Sequence, residues 1–172
     1  MGILSEQQRI ALDKFAKQAT IDMKLAVRTK KISNGRQSAV NASGSLDESI
    51  GYKLLPDGVE IYGNDYVYYL VYGRRGGNAP PFQSIREWID DKGIVPDSGT
   101  TDEDKDGMAW AIVKTIAKEG TSIYKTFNGQ DSGLFADIFD EESLAELGEQ
   151  LMAAVSLEFE SMIFNEFNNI AI

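Results

Sequence analysis

The chain has 172 residues, 42% of them hydrophobic and 26% charged, which is enough to bury a core and is ordinary for a folded domain, so a disordered or fibrous protein is excluded. It contains neither cysteine nor histidine, which removes thiolate nucleophiles, disulfides, Cys/His zinc sites and every acid/base arrangement that needs imidazole. Its formal net charge of −10 argues against nonspecific nucleic-acid binding, because that affinity comes from cations that displace counterions from phosphates.

The charge is unevenly placed. Residues 1–36 hold eight basic side chains against Glu6, Asp13 and Asp22, a net of +5, so the remainder carries −15. Such polarity suits either a solvated helix face beside an acidic body or two complementary surfaces that meet between copies. No apolar run approaches the roughly 20 residues that span a bilayer, and the start MGILSEQQRIALDKF lacks the apolar stretch of a signal peptide. We therefore expect no membrane association.

The first predicted element is a helix from about Ser5 to Lys31, with Leu12, Phe15, Ala16, Ala19, Met23, Ala26 and Val27 at steps of three and four. Ser5 with Gln8 has the spacing of a capping box. The small polar residues between Ile32 and Ser49 read as a flexible loop, at about 32–48. Strands are expected over Ser49 to Leu55 and Val59 to Tyr62, flanking the turn tripeptide Pro56-Asp57-Gly58.

Tyr66 to Tyr72 is the most strand-like run in the chain by composition, aromatic or aliphatic on both alternating faces, and is expected to form the heart of the sheet. Beyond the Gly73 to Gly77 turn, Pro80-Pro81 opens a short helix with Phe82, Ile85, Trp88 and Ile89 on one face, ended by Lys92-Gly93. An acidic loop at about 95–107 precedes a helix from about Asp106 to Glu119, with Ala109, Ile112, Val113, Ile116 and Ala117 inward. After a loop holding Gly129 to Gly133, a last helix runs from about Glu141 past Ile163. Leu144, Leu147, Leu151, Val155, Met162 and Ile163 are its inward face. The expected class is α+β, a small antiparallel sheet with helices packed on it, in one domain over 1–172.

Candidate chemistry is sparse, and no catalytic residue or cofactor site is assigned. Asp102, Asp104 and Asp106, followed by Gly107, match the opening of a calcium loop, but the twelfth position, which should be a bidentate Glu, is Val113. They stay weak metal candidates. The Gly73 to Gly77 stretch lacks the Lys-Ser/Thr of a phosphate loop, so Arg74 and Arg75 are assigned to a partner interface together with Tyr66, Tyr68 and Tyr72.

The order of these pieces resembles the neck and tail-completion proteins of tailed bacteriophages. The resemblance is carried by Gly44, Leu46, Ser49 and Ile50 before the hairpin, the tyrosine run ending in Gly73-Arg74-Arg75, the Pro80-Pro81…Ile85…Trp88-Ile89 helix, and the Gly120-Thr121 step. It covers most of residues 5 to 125 and departs after Thr121, where an extra loop precedes the last helix. It implies a noncatalytic virion protein that forms a ring of copies, joins head-side connector proteins to the tail tube, and lets DNA pass its channel without specific binding. Two readings of other classes stand beside it: a metal-dependent hydrolase or nuclease built on the acidic segment, and an acidic regulatory binding protein.

Overall fold

In a computed structural model that describes residues 4–30 and 44–170, the first helix, α1, spans Glu6–Thr29. Its start is the expected capping box: the Gln8 N–H donates to Ser5 Oγ at 3.1 Å and the Ser5 N–H donates to Gln8 Oε1 at 2.9 Å. Leu12, Ala16, Ala19, Met23, Ala26 and Val27 are buried, as their spacing requires.

The fold is α+β: a long first helix, a two-stranded antiparallel sheet, further helices and a long last helix. The chain divides into two compact units. One contains α1 as far as Met23, the hairpin and the chain from Phe135; the other contains Lys24–Ile50 and Gly63–Leu134.

In the first unit the hairpin pairs β1 (Gly51–Leu55) with β2 (Gly58–Tyr62), in the register Gly51 to Tyr62 through Leu55 to Gly58. The ring of Tyr62 lies across Gly51, where a Cβ would stand 2.7 Å from its hydroxyl oxygen and would push the ring aside. The Tyr52 hydroxyl donates to Asp13 of α1 at 3.0 Å, tying the hairpin to that helix, and this bond raises the phenol above its ordinary pKa. Among the described residues the sheet has only these two strands.

In the second unit the chain departs from expectation at two places before residue 73. Ser45–Ser49, expected as the end of a loop and the first residue of a strand, is a short helix that buries Leu46 and Asp47, while residues 32–43 of the expected loop, and Lys31 at the end of the expected first helix, lie outside the described residues. Asp47 is 3% exposed and is paired with Arg28.

The larger correction is the tyrosine run. Asp65–Tyr72 is a helix, here α3 with the Ser45–Ser49 helix as α2, and not a central strand. Asn64 caps it by accepting the Tyr66 N–H at 3.1 Å, Asp65 sits at its positive end, and Gly73 stops it at φ +72°. Strand propensity largely reflects packing on a pleated, half-buried surface, and that surface is missing here because the sheet ends at β2.

The helices α4 (Phe82–Asp91), α5 (Asp102–Glu119) and α6 (Ser122–Phe127) complete this unit. Helix α5 begins a turn earlier than expected because Thr101 and Asp104 form a capping box, so the end of the expected acidic loop is helical. Helix α6 was not anticipated in sequence; Thr121 caps it, accepting the Tyr124 N–H at 3.3 Å. In α4 the residue fully buried is Ile89, with Trp88 and Ile85 half-buried.

The last helix, α7, spans Glu141–Ile170 in the first unit. Its expected inward face is only partly inward. Ala154 is buried and Leu147 and Leu151 are half-buried, but Leu144, Val155, Met162 and Ile163 are exposed.

Candidate functional site

As a helix rather than a strand, the tyrosine run groups its side chains differently. Residues 66, 68 and 72 would share one face of a strand, but at 100° per residue Tyr68, Tyr69 and Tyr72 share one side, and Tyr66 falls beside the buried Leu70. The rings of Tyr68 and Tyr72 lie 5.0 Å apart, those of Tyr68 and Tyr69 are edge to face at 5.9 Å, and Tyr68 is 61% exposed. Tyr69 joins the cluster although it was not among the expected interface residues. Tyr66 leaves it: it is 45% exposed, stands on the Leu70 side of the helix, and desolvation raises its phenol above the ordinary pKa.

The two arginines separate as well. The Arg74 guanidinium lies over the Tyr69 ring at 5.7 Å and donates to the carbonyls of Asn78 and Ala79 at 3.2 and 3.3 Å. Its backbone is held on both sides: the N–H donates to Thr121 Oγ1 at 2.9 Å, and its carbonyl accepts the Thr121 N–H at 2.9 Å. Arg74 therefore shapes the turn. Arg75 beside it is exposed and makes no ion pair among the described residues.

The glycines of this turn serve close backbone approach. A Cβ on Gly73 would stand 2.2 Å from the Tyr124 nitrogen, one on Gly76 2.8 Å from the Lys118 carbonyl oxygen, and one on Gly120 2.5 Å from the Arg74 oxygen. The turn after α3 is thus pressed against the corner between α5 and α6. The extra loop before the last helix also has a use, since the Ser132 N–H donates to the Val71 carbonyl at 2.8 Å and its hydroxyl to the Leu70 carbonyl at 3.0 Å. These bonds satisfy carbonyls at the end of α3 that have no partner within the helix.

The calcium-loop candidates are used differently. Asp102, Asp104 and Asp106 stand in the first turns of α5, where steps of two residues send neighbouring carboxylates about 200° apart. Asp102 and Asp106 accept from Arg86 of α4 at 2.8 and 2.9 Å, Arg86 also pairs with Asp90, and Lys105 reaches Asp90 at 2.6 Å. Asp104 accepts from Thr101 instead, and that bonding lowers its pKa. Desolvation pulls Arg86 down, but its bonds to Asp106, Asp90 and Asp102 outweigh this and raise it overall. Among the described residues no group of three such side chains is arranged to hold a metal ion. Arg86, sixteen or more residues away in sequence, was the signal missing from the motif.

A groove in the first unit, lined by Lys14, Phe15, Gln18, Glu146, Leu147 and neighbours, has a volume of 210 Å³, smaller than the roughly 300–1,000 Å³ usual for ligand sites. The second unit exposes the Tyr68–Tyr69–Tyr72 cluster and, three residues on in sequence, Arg75, residue types that suit a protein-binding surface. No protein-family model, curated protein or solved structure matches the chain.

Proposed function

We propose that this chain is a structural, noncatalytic virion protein of a tailed phage, a neck or tail-completion subunit that assembles with itself into a ring and bridges head-side connector and tail-tube proteins. The observation that carries the reading is the exposed Tyr68–Tyr69–Tyr72 cluster on α3, followed three residues after Tyr72 by the exposed Arg75 in a turn whose glycines and Thr121 bonds leave it little freedom. Tyrosines, and an arginine that makes no ion pair among the described residues, are what buried interface centres are made from, because such side chains bring large contact area at a small entropic cost. The order of pieces that resembles the phage proteins includes this turn, the Pro-Pro helix and the Gly120-Thr121 step. The tyrosine segment differs in being helical. An acidic body also suits a channel that passes DNA without holding it.

The test is incorporation into particles. Arg75→Glu with Tyr68→Ser should leave the fold and its thermal midpoint unchanged, because both side chains are exposed, and should deplete the chain from purified virions. Arg74 is kept intact in that variant because it shapes the turn. Full occupancy with the double variant would dismiss the patch as an interface, and absence of the wild-type chain from particles would dismiss the neck assignment itself.

A further inference from the structure

Helix α7 has 30 residues, about 45 Å at 1.5 Å per residue, and it outruns the packing around it. Beyond the buried Ala154, the large apolar side chains as far as Phe164 are uncovered: Val155, Leu157, Phe159, Met162, Ile163 and Phe164 are 44, 61, 63, 68, 42 and 67% exposed. Met152, one turn before Ala154's far side, is 68% exposed as well. Met152, Val155, Phe159, Met162 and Ile163 follow one another at steps of three, four, three and one, a continuous stripe within about 100° of the helix surface. With aromatic side chains of roughly 150–250 Å² and aliphatic ones somewhat smaller, the uncovered area is on the order of 600 Å², the upper end of what monomers leave open. Such a face works covered.

What covers it is constrained by charge. Helix α7 carries seven glutamates and no lysine or arginine, so a second α7 laid along the stripe would set carboxylate against carboxylate. The outer side of α1, in the same unit, has the opposite character. Ile10 and Ile21 are 52 and 50% exposed, and Lys14 and Lys17 stand exposed between them on the same side, neither in an ion pair among the described residues. The two faces also match in length, since Ile10 to Ile21 and Met152 to Ile163 each span eleven residue steps, about 16 Å.

We infer that the Met152–Ile163 stripe of one copy packs along the Ile10–Ile21 face of α1 in the next, with the exposed Glu160 that flanks the stripe level with Lys14 or Lys17 and Glu149 adding negative charge at its end. The contact joins two different patches, so each copy gives one surface and receives at the other, as a closed ring requires. Its place in a ring rests on the reading above, but the contact itself is a property of the isolated chain.

The full-length chain followed by sedimentation velocity over a concentration series tests it. Lys14→Glu with Lys17→Glu, and separately Glu149→Lys with Glu160→Lys, should each weaken self-association about tenfold or more, and the chain carrying all four changes should recover most of it. Phe159→Ser with Met162→Ser should abolish association while circular dichroism and the thermal midpoint stay at wild-type values. Unchanged association in both charge-reversed variants, no recovery in the fourfold variant, or a wild type that is monomeric throughout would each overturn the contact. Binding of the full-length chain to phosphatidylcholine/phosphatidylserine vesicles, lost on Phe159→Ser while self-association persists, would assign the stripe to lipid and overturn it too. None of these outcomes decides the neck assignment, which stands or falls on the presence of the chain in particles.

Discussion

Replacing Gly73 with alanine isolates the junction on which the arginine turn depends. Gly73 has φ +72°, and a Cβ there would sit 2.2 Å from the Tyr124 nitrogen and 2.5 Å from its Cα, both backbone atoms that cannot rotate away. With ψ at 176° this backbone conformation is open almost only to glycine, and it costs a nonglycine residue roughly 1–3 kcal/mol. Forcing the α6 backbone aside adds the roughly 1–3 kcal/mol of an overpacked core. Together about 2–6 kcal/mol is lost, and at about 2–4 °C per kcal/mol for a chain of this length the thermal midpoint should fall by roughly 4–24 °C. Gly107→Ala is the control, since Gly107 lies inside α5 with nothing within 4 Å of an added Cβ, and alanine there should stabilise by about 0.5–1 kcal/mol. Urea denaturation read by circular dichroism, with m-values compared, measures both. A Gly73→Ala variant within about 0.5 kcal/mol of wild type would mean that the turn does not touch α6, and the rigid presentation of Tyr68 and Arg75 would have no basis.

Ile89, with no exposed surface, should lose about 2–5 kcal/mol as Ile89→Ala, and Trp88→Ala should lose less than the full cost of a buried indole because Trp88 is half-buried; the reverse order in denaturant midpoints would refute the packing of α4. Folding lowers the carboxyl pKa of Asp90 through Lys105 and Arg86, of Glu119 through Lys125, of Asp104 through Thr101 and of Asp140 through Ser143. Groups depressed in the folded state contribute stability that is complete above their unfolded values, about 3.9 for Asp and 4.3 for Glu, and is lost as pH falls through the lower folded ones. Thermal midpoints should therefore hold from neutral to about pH 5 and decline below about pH 4; a midpoint that rises on acidification through that window would contradict these bonds.

Elements bounded by local signals were legible from residues alone. Ser5 and Gln8 with apolar steps of three and four specify α1, Pro56-Asp57-Gly58 specifies the hairpin, and Pro80-Pro81 and Lys92-Gly93 bracket α4. The α+β class follows from these. The bounds of α3 were also present, in Asn64, Asp65 and Gly73, but the aromatic and β-branched composition between them outweighed the caps. Of the interface residues assigned from sequence, Tyr68 and Tyr72 are in ring contact and Arg75 is exposed, whereas Arg74 is tied into its turn and Tyr66 lies on another side of α3.

Periodicity alone showed that Glu141 onward is helical and has an apolar stripe, because a hydrogen-bonded turn involves only residues four apart. Whether Val155, Phe159 and Met162 are covered depends on what other segments reach them, and no spacing within the helix carries that information. The same holds for the acidic run. Its alternating carboxylates fit a cation by pattern, and what engages Asp102 and Asp106 is Arg86, brought there by the packing of α4 against α5. Local bonding is written in neighbouring residues, while the partner of an exposed face or a charged cluster is set by chain segments that only the tertiary structure brings into reach.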